Sequence, residues 1–198
     1  MSPILDIAKD ERRMIMINRS IQSMEDKYLL PSLELIEQVF TEYENEQEGK
    51  TVRKLTEEIR SLQYYFPALE IIALDDEKNI IGYAQFSRFH LEGKYENELL
   101  ILTPVAVKTC CQRQHISKDM IEYGFEKAKE MGFKAVIVEG NPLNYRARGF
   151  VTAADHGILP GKTVHLPHID CLMVKELIPG ALENIKGHVE YDCYQTLT

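Results

Sequence analysis

The 198-residue chain has no tryptophan, only four cysteines, and fewer cations than anions: 23 Lys and Arg against 31 Asp and Glu, a formal net charge of −8. The shortage of positive charge argues against a nucleic-acid partner, because such proteins neutralise phosphates with a basic surface. The cysteines, at 110, 111, 171 and 193, form no Cys-x-x-Cys pair and no even framework. Reduced thiols and a cytoplasmic location are therefore expected rather than a disulfide scaffold. No apolar run approaches the roughly 18 residues that span a bilayer, so no membrane partner is expected. The start, MSPILDIAKDERRM, becomes charged within its first ten residues, unlike a secretory signal. Repeats, low-complexity tracts and a Pro/Gly/Ser linker are also missing. Residues 1–13 read as an N-terminal arm and 14–198 as a single domain. The 44% hydrophobic share excludes disorder as a description of the whole chain.

Periodicity organises what is present. Met14–Arg19 reads as a short strand, and Ser23 with Asp26 as a helix start. Leu29, Leu33, Ile36 and Phe40 fall on one helical face, and Val52, Leu55, Ile59 and Leu62 mark a second helix. The acidic EYENEQEGK between them reads as a loop. Leu69–Leu74 and Ile80–Phe89 flank the polar turn Asp75–Asn79 as a hairpin. Glu98–Val107 is a long apolar strand containing Pro104. Proline cannot donate to a ladder, so pairing should be interrupted there, and a strand that splays open offers its backbone to a ligand. A helix from about His115 to Met131 buries Ile116, Met120, Ile121, Gly124, Phe125 and Ala128. Ala135–Val138 reads as a buried strand, Leu143–Arg148 as a short helix and Cys171–Leu177 as a last strand. The order β-α-α-β-β-β-α-β-α-β predicts an α/β (α+β) sandwich with a mixed, mostly antiparallel sheet flanked by helices.

Chemistry concentrates where the Pro104 strand gives way to the helix. Lys108–Lys118, KTCCQRQHISK, holds three cations and no acid in a chain of net charge −8. A helix N-terminus adds free N–H groups and the positive end of a dipole, which together suit an anion such as phosphate. A solvated basic loop is the plainer reading of the same residues.

The stretch LLILTPVAVKTCCQRQHISKDMIEYGFEKAKEMGFKAVIVEGNPLNYRARGF resembles the core of the GCN5-related N-acetyltransferase superfamily. The shared order is Pro-x-x-Val (Pro104–Val107), a Q/R-x-x-G-x-G/A loop (Gln112–Ser117), a helix, a strand, then Tyr-x-x-x-Gly-Phe (Tyr145, Gly149, Phe150). A bacterial subgroup is similar further on: its G-D/N-P-x-Y-Y matches Gly140–Tyr145, and its tail matches Pro179–Leu182 and Gly187–Tyr191. The resemblance covers roughly residues 14–191. It implies the family's three-layer sandwich and direct transfer of an acetyl group from acetyl-CoA to a small-molecule or peptide amine. It further implies that Val105, Ala106 and Val107 hold the pantetheine arm, and that Gln112, Arg113, Gln114, His115, Ile116 and Ser117 wrap the pyrophosphate. Asn141 would also meet the cofactor, and Tyr145 would be the general acid at the sulfur. Dimers are common in the family, so a homodimer is one assembly the resemblance suggests.

The chain departs from the pattern in two places. His115 and Ser117 stand at the loop's glycine positions, where glycine permits close approach of the backbone to phosphate. Asn144-Tyr145 replaces Tyr-Tyr, and Ala147-Arg148 replaces Arg-Phe. A second reading follows from these departures: a non-catalytic acyl-CoA-binding or sensor module with a degenerate phosphate loop.

Other constellations are weaker. His165-x-x-His168-x-x-Cys171 has metal-ligand types, but Pro167 and the following strand oppose convergence, so no metal is expected. Cys110 and Cys111 read as ordinary loop or packing thiols. Arg146 and Arg148 read equally as phosphate ligands or surface charges. Tyr64-Tyr65-Phe66-Pro67 reads as core packing or as a wall of an acceptor pocket. Glu98, Glu96 and His90 are candidates for a general base, with nothing in the sequence to single one out.

Overall fold

A computed structural model of the chain describes residues 17–197. The strands are β1 (Ser20–Ser23), β2 (Glu70–Leu74), β3 (Ile80–Arg88), β4 (Leu99–Val107), β5 (Ala135–Glu139), β6 (Val151–Thr152), β7 (Ile158–Pro160), β8 (Leu172–Glu176) and β9 (Gly187–Val189). The helices are α1 (Leu29–Tyr43), α2 (Glu46–Ser61), α3 (Ile116–Glu130) and the single turn α4 (Pro142–Tyr145). Seven strands form one sheet in the order β1-β2-β3-β4-β5-β8-β6, and β7 and β9 pair separately. Within the large sheet only β4 and β5 run parallel.

The sheet is the middle of three layers. Its two faces are apolar because β2, β3 and β5 are near-continuous apolar runs, the signature of strands covered on both sides. On one face α3 seats Ile116, Met120, Ile121, Phe125 and Ala128 against Ala84, Phe86, Leu100, Leu102 and Val136. On the other, α1 covers β2 and β3 through Leu35, Ile36 and Val39. Leu55 and Ile59 of α2, with the C-terminal Tyr191 and Tyr194, cover Ile101 and Ile137. A buried carboxylate ties α2 to the sheet. Glu70 of β2 accepts from Arg60 Nε at 2.9 Å, from Tyr65 at 2.5 Å and from Tyr83 at 2.5 Å.

The sequence expectations are met in outline and corrected in four places. Residues 1–13 lie outside the described residues, as do Met14–Met16. Ile17–Arg19 are not a strand; the edge strand is Ser20–Ser23, set by pairing with Leu74–Ile71. Ile17–Arg19 instead cross the start of α3, where Arg19 pairs with Asp119 and Ile17 N donates to Gln114 Oε1 at 2.9 Å. Ser23 is no helix cap, since its hydroxyl donates to Ala68 O. The acidic stretch is mostly helix. Asn45 Oδ1 accepts from Glu48 N at 3.0 Å, and Glu46 and Glu48 in the first turn suit the N-terminal dipole of α2. Finally, β6, β7 and β9 have only two or three residues each, too few to show a period in the sequence.

Candidate functional site

The ladder between β4 and β5 runs only from Leu99↔Ala135 to Ile101↔Ile137. Beyond Ile101, β4 keeps its partner β3 but loses β5. The register with β3 shifts at the same point: Phe86 faces Leu102, and Ala84 faces Val105. One extra residue is thus accommodated around Thr103-Pro104, a bulge of the kind a strand proline tolerates. The result is a wedge between two parallel strands, with an unpartnered β4 edge on one side. It opens into a cleft of about 1030 Å³ bounded by the α1–α2 corner, the start of α3, the end of β5, α4 and the C-terminal segment.

Val105, Val107, Gln112, Arg113, His115, Ile116, Ser117, Asn141 and Tyr145 all line this cleft. Ala106 and Gln114 do not bring their side chains to it. Strand alternation turns Ala106 toward Tyr83 and the α1 face, and the Gln114 side chain is buried under Ile17. Asn141 caps α4, its Oδ1 accepting from Leu143 N at 3.0 Å. Gln112 Nε2 donates to Val107 O at 3.2 Å and so closes the loop onto the end of β4.

At the loop end the cleft is cationic. Arg113 and His115 both have left-handed backbone, each at φ 62°. His115 is the residue before α3 and makes no side-chain cap, so the N–H groups of Ile116, Ser117 and Lys118 have no helical acceptor. Among the described residues neither Arg113 nor Arg148 has a carboxylate within ion-pair distance. Free amides and unpaired guanidinium groups are a donor set for phosphate oxygens. The residues present therefore fit a phosphate-bearing ligand whose extended arm lies along the β4 edge.

Tyr145, from the last position of α4, also lines the cleft. Its ring packs edge-on to Phe150 at 5.5 Å, and Phe150 packs on Phe125 of α3. Its hydroxyl has no hydrogen-bond partner among the described residues. Burial pushes that hydroxyl above its usual value of 10, against the opposing pull of the Arg148 guanidinium. It is therefore a donor throughout the neutral range.

The lining includes two groups that sequence reasoning missed. Glu139, the last residue of β5, accepts from the Tyr191 hydroxyl at 2.8 Å. Burial and the Glu139 carboxylate both push the Tyr191 hydroxyl up, so it too stays protonated. Tyr191 is positioned in turn by Thr163, whose Oγ1 accepts from Tyr191 N at 2.6 Å and donates to Glu190 at 2.7 Å. Glu190 also takes the N–H groups of Lys162 and Thr163. Those bonds, led by the Thr163 hydroxyl, hold its carboxyl down at about 2. Gly161 fits closely here: a Cβ would lie 2.7 Å from the backbone oxygen of Val189 and would push the Glu190 carboxylate aside.

The remaining candidates sit elsewhere. Glu98 pairs with Lys134 at 2.6 Å, His90 stacks on Phe89, and neither they nor Glu96 line the cleft. His165 lines the cleft, but His168 accepts from Asp170 N, and no three His, Cys, Asp or Glu converge among the described residues. Tyr65 belongs to the Glu70 cluster and Phe66 packs on Phe133, so that aromatic run is not part of the cleft wall. Burial and the neighbouring Cys110 push the Cys111 thiol up to about 11, away from nucleophilic use.

Comparison with known proteins follows the same outline. A profile of the acetyltransferase (GNAT) family matches residues 33–155. The uncharacterized N-acetyltransferase YhbS of Escherichia coli strain K12 is 30% identical over 152 residues, covering 75% of this chain and 83% of YhbS. The crystal structure of E. coli YhbS in complex with CoA superposes with a TM-score of 0.74 at 26% identity, over 88% of this chain and 90% of that one. A GNAT acetyltransferase from Brucella melitensis, in complex with acetyl-CoA, shares the fold at a TM-score of 0.65 and 19% identity, over 91% and 99% of the two chains.

Proposed function

The chain belongs to the acetyltransferase (GNAT) family, and from that premise we propose that it transfers the acetyl group of acetyl-CoA directly to an amine in the β4–β5 cleft. CoA and acetyl-CoA are the ligands of the related crystal structures. The observation that carries the reading is the set of groups one cleft brings together: free amides and cations without carboxylate partners at the start of α3, an unpartnered strand edge, a hydroxyl donor and a carboxylate.

Each group has a task set by its position. The N–H groups of Ile116, Ser117 and Lys118, with Arg113, hold the phosphates. The β4 edge from Leu102 to Val107 binds the pantetheine amides as a missing strand would. Bound acetyl-CoA supplies an acetyl group already activated as a thioester. Glu139, oriented by Tyr191, accepts the proton of the incoming amine. An amine arrives mostly as its ammonium form at neutral pH, so a carboxylate both attracts it and removes the proton. Tyr145 donates a hydrogen bond to charge developing on sulfur. Its raised hydroxyl disfavours complete proton transfer to a thiolate, so charge stabilisation is the larger part of its role.

Thiol release from acetyl-CoA in the presence of a panel of primary amines tests the proposal. Amine-dependent release with an acetylated product is expected. Tight CoA binding with no turnover on any amine would overturn it.

A further inference from the structure

Two departures from the family pattern, distant in sequence, meet in space. Ser117 stands at a glycine position of the phosphate loop, and Arg148 lies beside Tyr145. Arg148 Nη2 donates to Ser117 Oγ at 2.9 Å across 31 residues. The other terminal nitrogen donates to Asn144 O. The guanidinium carbon lies 5.9 Å from the Tyr145 ring centroid, and Nε is buried without a partner. No carboxylate pairs with this guanidinium among the described residues, although the chain carries a net charge of −8. A cation fixed at a cleft with no carboxylate partner, and with one N–H still free on each terminal nitrogen, is complementary to an anion.

We propose that Arg148, seated on Ser117, is a cofactor-positioning arm that clamps the pyrophosphate of CoA from the α4 side of the cleft. This inference rests on the acetyltransferase reading above. A side chain at residue 117 holds the phosphate further from the α3 backbone than glycine would. A guanidinium reaching in from α4 restores the lost contact, because each terminal nitrogen keeps one N–H beyond its bond to Ser117 or Asn144 to give to a phosphate oxygen. The serine is thus the seat of the arm rather than a blemish in the loop. Because Arg148 also lies against Tyr145, the same arm links phosphate binding to the position of the hydroxyl donor.

The test is calorimetric titration of the full chain with CoA, dephospho-CoA and pantetheine. CoA binding to the unaltered protein is the control for the reading beneath the proposal. If CoA does not bind there, that reading fails and takes the proposal with it. If CoA binds, Arg148→Gln should weaken CoA and dephospho-CoA alike by about tenfold or more, the scale of a charge-assisted contact. Pantetheine, which lacks phosphates, should be unaffected. The salt dependence of CoA binding should also flatten, since one screened charge pair is gone. Arg148→Lys, which keeps the charge without the fork, should fall between. Ser117→Ala should weaken CoA in the native background and have no further effect with Arg148→Gln. Equal losses for CoA and pantetheine, additive effects of the two substitutions, or unchanged CoA affinity in Arg148→Gln would each overturn the proposal while leaving the acetyltransferase reading intact.

Discussion

Gly140 and Tyr145 are in such close contact that a Cβ on Gly140 would lie 2.6 Å from Cε2 of the tyrosine ring. The ring also packs edge-on to Phe150, which limits its movement. Gly140 follows Glu139 directly, so the tyrosine ring packs against the residue next to that carboxylate at the end of β5. Tyr145→Phe keeps this packing and removes the hydroxyl. Turnover should fall about 10²-fold with CoA affinity unchanged. Gly140→Ala keeps the hydroxyl and displaces it, so it should lower kcat by about tenfold with near-native CoA affinity. Steady-state kinetics beside calorimetry separates the two effects, and near-normal turnover in Tyr145→Phe would remove the assignment.

Glu139→Gln keeps the size of the side chain and its bond from Tyr191 but cannot take a proton. It should lower kcat by about 10²-fold or more at neutral pH while CoA binds as before. Tyr191→Phe leaves the carboxylate without its orienting donor and should have a smaller effect, about tenfold. An unchanged kcat in Glu139→Gln would move the base elsewhere.

His115 occupies the left-handed region, at φ 62° and ψ 13°. That conformation costs an L-residue roughly 1–2 kcal/mol and costs glycine little. His115→Gly releases the strain but adds about 0.5–1 kcal/mol of unfolded-chain entropy, so stability should rise by about 0–1.5 kcal/mol. With Cβ and the ring gone, phosphate can approach the α3 amides, and CoA should bind several-fold more tightly. Weaker CoA binding in His115→Gly would show that the ring is itself a phosphate ligand.

Glu190 carries a pH dependence of known sign. Its carboxyl sits at about 2 in the folded protein against an ordinary 4.5, because Thr163 and Lys162 donate to the charged form. A depressed folded value means that its stabilisation is present above about 4.5 and is lost as pH falls toward about 2. Glu190→Gln should therefore lower stability at pH 7 and flatten the decline between those limits, read from urea unfolding across pH. Since Glu190 holds Thr163 and Thr163 holds Tyr191, the same substitution should also lower kcat.

The helices and the central strands were legible because their apolar residues recur at the spacing of one face or in unbroken runs. Leu33, Ile36, Leu55, Ile59, Met120 and Phe125 are all in the core. The acidic corner was not legible, because its composition suggests a loop while a single capping residue, Asn45, decides for helix. That the loop and the start of α3 share one site was readable because they are contiguous in the chain. The pairing at the end of β5 was not. Glu139 and Tyr191 meet across 52 residues, and only the carboxylate closing the apolar run Ala135–Val138 hints at a site. The pairing of Arg148 with Ser117 was equally hidden, since each alone is an ordinary polar residue.

A crystal structure of the protein with CoA tests the central claim most directly. The account predicts the pantetheine arm along β4 beyond Ile101, the pyrophosphate at the amides of Ile116–Lys118, and the sulfur beside the Tyr145 hydroxyl with Glu139 beyond it. CoA bound outside the β4–β5 cleft, or bound there with its phosphates remote from the start of α3, would contradict it.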